Sequence, residues 1–294
     1  MRVHPLSGLL VAAGVAVLLV FWSTPTRAAW DPLEILTPGE KVGVVEINGI
    51  ISKSTPTLED LKKFREENYI RAIVVRINSP GGAVGPSQEI MEEINKTKKV
   101  KKVVVSCGSM AASGGYYIAS AADLIMASPG SATGSIGVIM QLANVEQLTK
   151  KLGVDFFSLK AGALKDMGSP FKPMTPEEKA VFQSLLNNIH EQFIKDVAKN
   201  RKLPVEKVRT LADGRVFTGQ EAKENGLVDA LGNFNDAVER AGRMGGIIGK
   251  IETVYPEKKG FSLLKLLFGQ DAETNLEFLT SPYPQPAFLP PWFR

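Results

Sequence analysis

Three runs constrain this chain most: KVGVVEINGII from Lys41, RAIVVRINSPGG from Arg71 and KKVVVSCGSM from Lys101. Each has a core of consecutive apolar, mostly β-branched residues, and each of the first two is followed by a polar stretch with helical spacing. A strand with one wet face alternates apolar and polar residues, whereas a near-continuous apolar run belongs to a strand covered on both faces. Strands of that kind alternating with helices imply parallel pairing and a layered α/β fold. With 294 residues, 44% of them hydrophobic, the chain is large enough to bury such a sheet.

The first run reads as a strand ending near Gly49, followed by a polar helix over LEDLKKFREE. The second reads as a buried strand entering a Pro-Gly-Gly turn. After it comes a helix over PSQEIMEEINKT, whose Ile90, Met91 and Ile94 fall on one side. The third predicts a strand over Val103–Cys107, a turn of small residues, a helix from about Ala112 and a short strand over Leu124–Ala127. TPEEKAVFQSLLNNIHEQFIKDVAKNR predicts a long helix capped by Thr175, with Pro176 and Glu177 in its first turn. Its Val181, Leu185, Ile189, Phe193 and Val197 line one side and are expected to close the core. Shorter helices are expected in LPVEKVRTLADG, TGQEAKENGLVDALG and FNDAVERAGRM.

Both ends differ from this body. Leu6 to Trp22 is an uncharged apolar run, close to the ~17–25 residues that span a bilayer and longer than the ~7–15 of a typical signal-peptide core. It is read as an uncleaved transmembrane anchor, with small residues at Thr26 to Ala29 leaving cleavage open. Arg2 precedes the run and Arg27 follows it, which gives a mild preference for a body outside the cytoplasm. The expected organisation is an anchor over 1–28, a linker over 29–40, a catalytic body over 41–250 and a tail over 251–294. The tail holds an apolar patch, FSLLKLLFG, and the proline-rich SPYPQPAFLPPWFR, which is expected to be extended, without a packed core of its own and poorly ordered, with occupancy of its own peptide groove as the alternative.

The balance of 35 basic against 31 acidic residues lacks a basic block, so no nucleic-acid partner is indicated. The single cysteine, Cys107, excludes an internal disulfide and reads as a buried core thiol. The two histidines, His4 and His190, leave no metal-ligand spacing, and neither a metal nor a cofactor is expected.

The catalytic candidate is Ser113, in GSMAASGGYY directly after the third strand. A serine hydroxyl is a weak nucleophile and needs an adjacent base and a cradle for the oxyanion. His4 sits at the membrane segment and His190 beside the apolar stripe of the long helix, so a Ser-His-Asp triad is poorly supported and a lysine becomes the candidate base. Lysine as base makes a quantitative demand. At an unperturbed pKa of ~10.4, about one amine in 2,500 is neutral at pH 7. Shelter from water that brings the value to ~8 makes about a tenth neutral.

NSPGG, GSMAASGGYY, GSATGSIGV and KAGALKDMGSPFKPMT together resemble the signal peptide peptidase A family, serine peptidases of the ClpP/crotonase superfamily, over roughly Lys41 to Arg243. The resemblance implies a ClpP/crotonase-like α/β fold. It places the nucleophile on Ser113 and the general base on Lys165, the second lysine of K-x-G-x-x-K-D, with Ser135 orienting the lysine. By likeness to the ClpP oxyanion loop, the backbone N–H groups of Gly82 and Gly114 form the oxyanion hole. Lys160 is the rival base. In an extended segment its odd separation from Lys165 sends the two amines to opposite faces, and the family pattern selects Lys165. Asp166 is expected to face away from Lys165, because a carboxylate on the amine holds its proton.

The resemblance further implies hydrophobic peptide substrates such as remnant signal peptides, and a homo-oligomer in which Ser113 and Lys165 come from different subunits. It also implies a single-pass protein of the bacterial cytoplasmic membrane with its catalytic body on the extracytoplasmic side. Two alternatives stay open: an NfeD-type membrane Ser-Lys protease and, from another class, a crotonase-like acyl-CoA enzyme.

Overall fold

The computed structural model describes residues 39–257 and the pair 287–288. The expected anchor, almost all of the linker and the FSLLKLLFG patch lie outside the described residues. Among the described residues no helix is long and apolar enough to cross a membrane.

The chain runs β1 (Lys41–Ile51), α1 (Thr55–Glu66), β2 (Ile70–Ala83), α2 (Val84–Thr97), β3 (Lys102–Ala112) and α3 (Gly114–Ala119). It continues through β4 (Leu124–Ala127), β5 (Ala132–Gly134), α4 (Glu146–Lys151), α5 (Pro176–Arg201), α6 (Val205–Leu211) and β6 (Val216–Thr218). It closes with α7 (Gly219–Glu224), β7 (Ala230–Leu231), α8 (Phe234–Met244), β8 (Glu252–Val254) and β9 (Ala287–Phe288). All nine strands join one sheet with the central order β6-β5-β3-β2-β1-β8, while β4 joins β3 to β7 and β9 lies on β2. The pairs β1–β2, β2–β3, β3–β4, β3–β5, β4–β7 and β1–β8 are parallel. Only β5–β6 and β2–β9 are antiparallel. This is the expected α/β architecture.

Burial on both faces is visible in the central strands. Ile73, Val75 and Ile77 of β2 join one cluster with Val45, Val103, Val105 and Phe193. Their alternates Ala72 and Val74 join a second cluster with Val42, Val44 and Val104 under Ala237, Val238 and Ala241 of α8. The strand period of two thus sends successive residues to opposite cores, and neither face can be polar.

Two of the strands run further than expected. The Pro-Gly-Gly of β2 is strand rather than turn: Gly81 and Gly82 pair with Ile50 and Ile51 of β1. Glycine makes this possible, since a Cβ on Gly82 would sit 2.1 Å from the Ile51 carbonyl oxygen and Gly81 holds φ at 108°. Likewise β3 continues through the small residues to Ala112, where Met110, Ala111 and Ala112 pair with β5. Helix α3 starts only after Ser113, two residues later than the composition suggests.

Helix α5 begins where the sequence places it. Thr175 is its N-cap, with a reciprocal capping box to Glu178. Only its C-terminal half closes the core, through Phe193, Ile194, Val197 and Ala198. Val181 and Leu185 remain 38% and 43% exposed, so the expected stripe is buried only along the later turns of the helix. The buried half fixes the functional end of the sheet: Phe193 meets Tyr117 of α3 edge-on, with centroids 4.7 Å apart. The Tyr117 hydroxyl also donates to Asp196.

Candidate functional site

The parallel strands β2 and β3 end side by side, and the residues singled out as nucleophile and oxyanion donors lie at those carboxyl ends. Open α/β sheets place their ligand crevices at this edge. Ser113 follows the last residue of β3 with φ 52° and ψ −115°. Its N–H donates to the Gly134 carbonyl at 2.8 Å and its carbonyl accepts the N–H of Tyr117 at 2.8 Å, so the backbone is held on both sides. Among described non-glycine residues only Ser113, Ser135 and Lys202 have positive φ. Lys202 is an ordinary left-handed helix cap. The other two are the candidate nucleophile and its candidate partner, and sparsely populated backbone of this kind costs about 1–3 kcal/mol per residue. The Ser113 and Ser135 backbones are coupled through Gly134, which pairs with Ala112.

The Ser113 side chain is fully buried, and its Oγ has no hydrogen-bond partner among the described residues. A buried hydroxyl without a partner loses about 1–3 kcal/mol, so this is a group prepared for something that the described residues do not supply. Helix α3 has only six residues, and individual amide groups rather than a long helix dipole therefore supply the positive field at its start. A Cβ on Gly114 would lie 3.2 Å from the Gly82 nitrogen and 2.7 Å from Ser87 Oγ. The two glycines of the candidate oxyanion hole are accordingly packed against each other, and only the absence of side chains lets the two backbones approach this closely. Ser87, fully buried on α2, donates to the Ala83 carbonyl at 2.9 Å and holds the end of β2 in place. This residue escaped sequence reasoning, since a serine in a first helical turn carries no distinguishing signal.

Strand β9 lies antiparallel on this same end of β2, with Phe288 opposite Gly82 and Ala287 opposite Ala83. An extended piece of the chain's own tail therefore occupies the strand edge beside the candidate oxyanion donors.

The lysine candidates are elsewhere in character. Residues 161–168 form successive turns rather than an extended segment, and Gly162 with φ 99° begins the reversal. Lys160 and Lys165 consequently line one cleft of about 400 Å³, not opposite faces as an extended backbone requires. What separates them is pairing. Asp166 accepts from Lys160 at 2.5 Å and from Lys172 at 3.1 Å, and no bond joins it to Lys165. The Lys160 hydrogen bond is the chief reason that the Asp166 carboxyl is held below its ordinary value. Lys165 makes no ion pair or hydrogen bond among the described residues, and it is exposed. Ser135 is buried at 3% exposure, and its N–H donates to the Arg215 carbonyl at 2.8 Å. Its side chain bonds neither lysine.

One chain thus joins Ser113, Ser135, Gly82 and Gly114 at one sheet edge and leaves Lys165 unbonded to any of them. The arm that carries the lysine is apolar and open to solvent at Leu152, Phe157 and Leu159, which are 69%, 86% and 94% exposed. His190 of α5 has a buried Nε2 without a partner among the described residues, but it does not bond Ser113 either. Cys107 is buried as expected, and burial pushes its thiol up to about 12.

Comparison with known proteins agrees with the sheet-edge chemistry. The family model for peptidase family S49 matches residues 95–246, and that for Clp protease matches residues 47–133. A putative protease of Synechocystis is 44% identical over 71% of this chain and 76% of its own length. A putative signal peptide peptidase SppA of Enterococcus faecium is 37% identical over 71% of this chain and 65% of its own. Protease 4 of Haemophilus influenzae is 36% identical over 72% of this chain but only 36% of its own length. These similarities lie with peptidases and support a ClpP-like α/β fold; they do not favour an acyl-CoA enzyme.

Proposed function

Because the chain belongs to peptidase family S49 and is a serine-type peptidase, we propose that it is a membrane-anchored endopeptidase working through a Ser113–Lys165 dyad. The observation that carries this reading is the buried, unpartnered Ser113 Oγ beside the apposed Gly82 and Gly114 backbones. Ser113 Oγ attacks the scissile carbonyl carbon while its proton passes to the neutral Lys165 amine. The resulting oxyanion is received by the N–H groups of Gly82 and Gly114. The proton then goes to the leaving amine, the C–N bond breaks, and water releases the acyl group from Ser113 by the same steps in reverse order. Ser135 orients the amine.

The dyad assembles between subunits of a homo-oligomer. This accounts for two features at once: a nucleophile lacking its partner, and an apolar arm around Leu152, Phe157 and Leu159 exposed beside the lysine. Docking of that arm on a neighbouring copy removes Lys165 from water and supplies the shelter that a lysine base needs. Substrates are extended hydrophobic peptides such as remnant signal peptides, added as a strand to the end of β2. The contact of β9 with Gly82 and Ala83 supports that mode. The apolar run over Leu6 to Trp22 supports a single-pass anchor in the bacterial cytoplasmic membrane, with the body outside the cytoplasm and the organisation 1–28, 29–40, 41–250 and 251–294.

The test is hydrolysis of a synthetic signal peptide by the wild type, Ser113→Ala and Lys165→Ala. Both variants are expected to be inactive alone and to regain part of the activity when mixed and reassembled, because mixed oligomers contain sites with both groups intact. Activity surviving Ser113→Ala or Lys165→Ala would overturn the dyad, and absence of any recovery on mixing would overturn the shared site.

A further inference from the structure

The arm that presents Lys165 is fastened by a chain of charges that the reaction itself does not use. Asp166 Oδ1 accepts from Lys160 Nζ at 2.5 Å and from Lys172 Nζ at 3.1 Å. Lys172 also engages Glu178, the third residue of α5, whose carboxylate accepts the Thr175 N–H at 3.0 Å in the capping box. The path runs unbroken from the first turn of the long helix to Lys160 and encloses the turns around Lys165. Its acids are the withdrawn members: the Asp166 and Glu178 side chains are 14% and 3% exposed, while Lys160 and Lys172 are 34% and 29% exposed. Withdrawing a carboxylate from water has a cost that only its partners offset. Two acids and two amines balance to zero, and Lys165, the immediate neighbour of Asp166 in sequence, is left outside the balance.

We infer that Asp166 is a positioning residue for the peptidase reaction: its carboxylate takes up Lys160 and Lys172 and so fixes the turn that offers Lys165 as the unpaired amine. Two competing arrangements are thereby suppressed. A carboxylate turned onto Lys165 would keep the base protonated, and a released Lys160, which lines the same cleft, would compete for its place. The six residues from Lys160 to Lys165 thus hold two amines, and the acid at 166 determines which stays free. The inference rests on Lys165 being the base, as proposed above.

The experiment compares steady-state hydrolysis of a fluorogenic signal peptide by full-length wild type, Asp166→Asn, Asp166→Glu, Lys172→Met and the double variant Asp166→Asn/Lys172→Met. Asp166→Asn is expected to lower kcat about 10- to 100-fold, the scale of a base displaced by an ångström or less, with KM within about twofold. Asp166→Glu restores most of the loss. The double variant loses less than the sum of the two single losses, because both substitutions break the Asp166–Lys172 contact. Wild-type kcat in Asp166→Asn would overturn the inference, as would fully additive losses or a fall in kcat that Asp166→Glu does not relieve. Should Asp166→Asn fail to fold, Lys172→Met decides: a lowered kcat at constant KM supports the clamp, and an unchanged kcat removes it. Lys165→Ala separates the two levels of the argument. If it remains active, the base assignment fails; if it is inactive while Asp166→Asn is fully active, only the clamp fails.

Discussion

Replacing Gly82 by alanine puts the oxyanion geometry to a quantitative test. An added Cβ falls 2.1 Å from the Ile51 carbonyl oxygen, 2.5 Å from its nitrogen and 2.6 Å from its carbonyl carbon, where ordinary contact begins at 3.4 Å. All three atoms are backbone of the adjoining strand, so no side chain can swing aside. The end of β2 must move from β1 by more than 1 Å, and the Gly82 N–H moves with it. Loss of one oxyanion donor costs about 10²–10³ in kcat, and misplacement by about 1 Å costs on the order of 10². The expected result is therefore a fall in kcat of about a hundredfold or more, at nearly constant KM. Overpacking also destabilises by about 1–3 kcal/mol, so peptide hydrolysis is measured well below the melting temperature of the variant, fixed by circular dichroism. Gly85→Ala is the control: three residues further on, in the first turn of α2, its Cβ meets nothing within 4 Å. That variant should keep wild-type kcat and gain up to ~1 kcal/mol from reduced backbone entropy of the unfolded chain. A cooperatively folded Gly82→Ala protein with kcat within about twofold of wild type would refute the assignment of this strand end as part of the oxyanion hole.

Two further outcomes follow from the packing. Cys107 is 2% exposed, and burial pushes its thiol up to about 12 from 9.0, with Arg76 opposing the shift. The neutral thiol therefore stabilises the fold fully below pH 9 and loses that contribution as pH rises towards 12; alkylation at pH 8 should proceed only on unfolding, and rapid labelling of the native protein would contradict this. Deleting residues from Gly269 onward removes β9 from Gly82 and Ala83, and should lower KM for a peptide substrate severalfold by vacating the edge; unchanged kinetics would show that the tail does not compete there.

Much of this was legible in the chain because it depends on local chemistry. Near-continuous apolar runs over Val42 to Val45, Ile73 to Val75 and Val103 to Val105, β-branched but for Gly43, can only be satisfied by strands covered on both faces, and so specified a parallel layered sheet. Thr175, Pro176 and Glu177 announced the start of α5, and the capping box that Thr175 closes with Glu178 is complete within four residues. The small residues around Ser113 marked a close backbone approach. What tertiary structure alone decided involves partners distant in sequence. Pro80-Gly81-Gly82 signals a turn locally but is strand here, because β1 lies alongside and a glycine lets the two backbones meet. Lys160 and Lys165 point to opposite faces only if the backbone between them is extended, and the turns from Gly162 bring both into one cleft. Their distinction then comes from which amine Asp166 reaches, a matter of position in space that spacing along the chain does not encode.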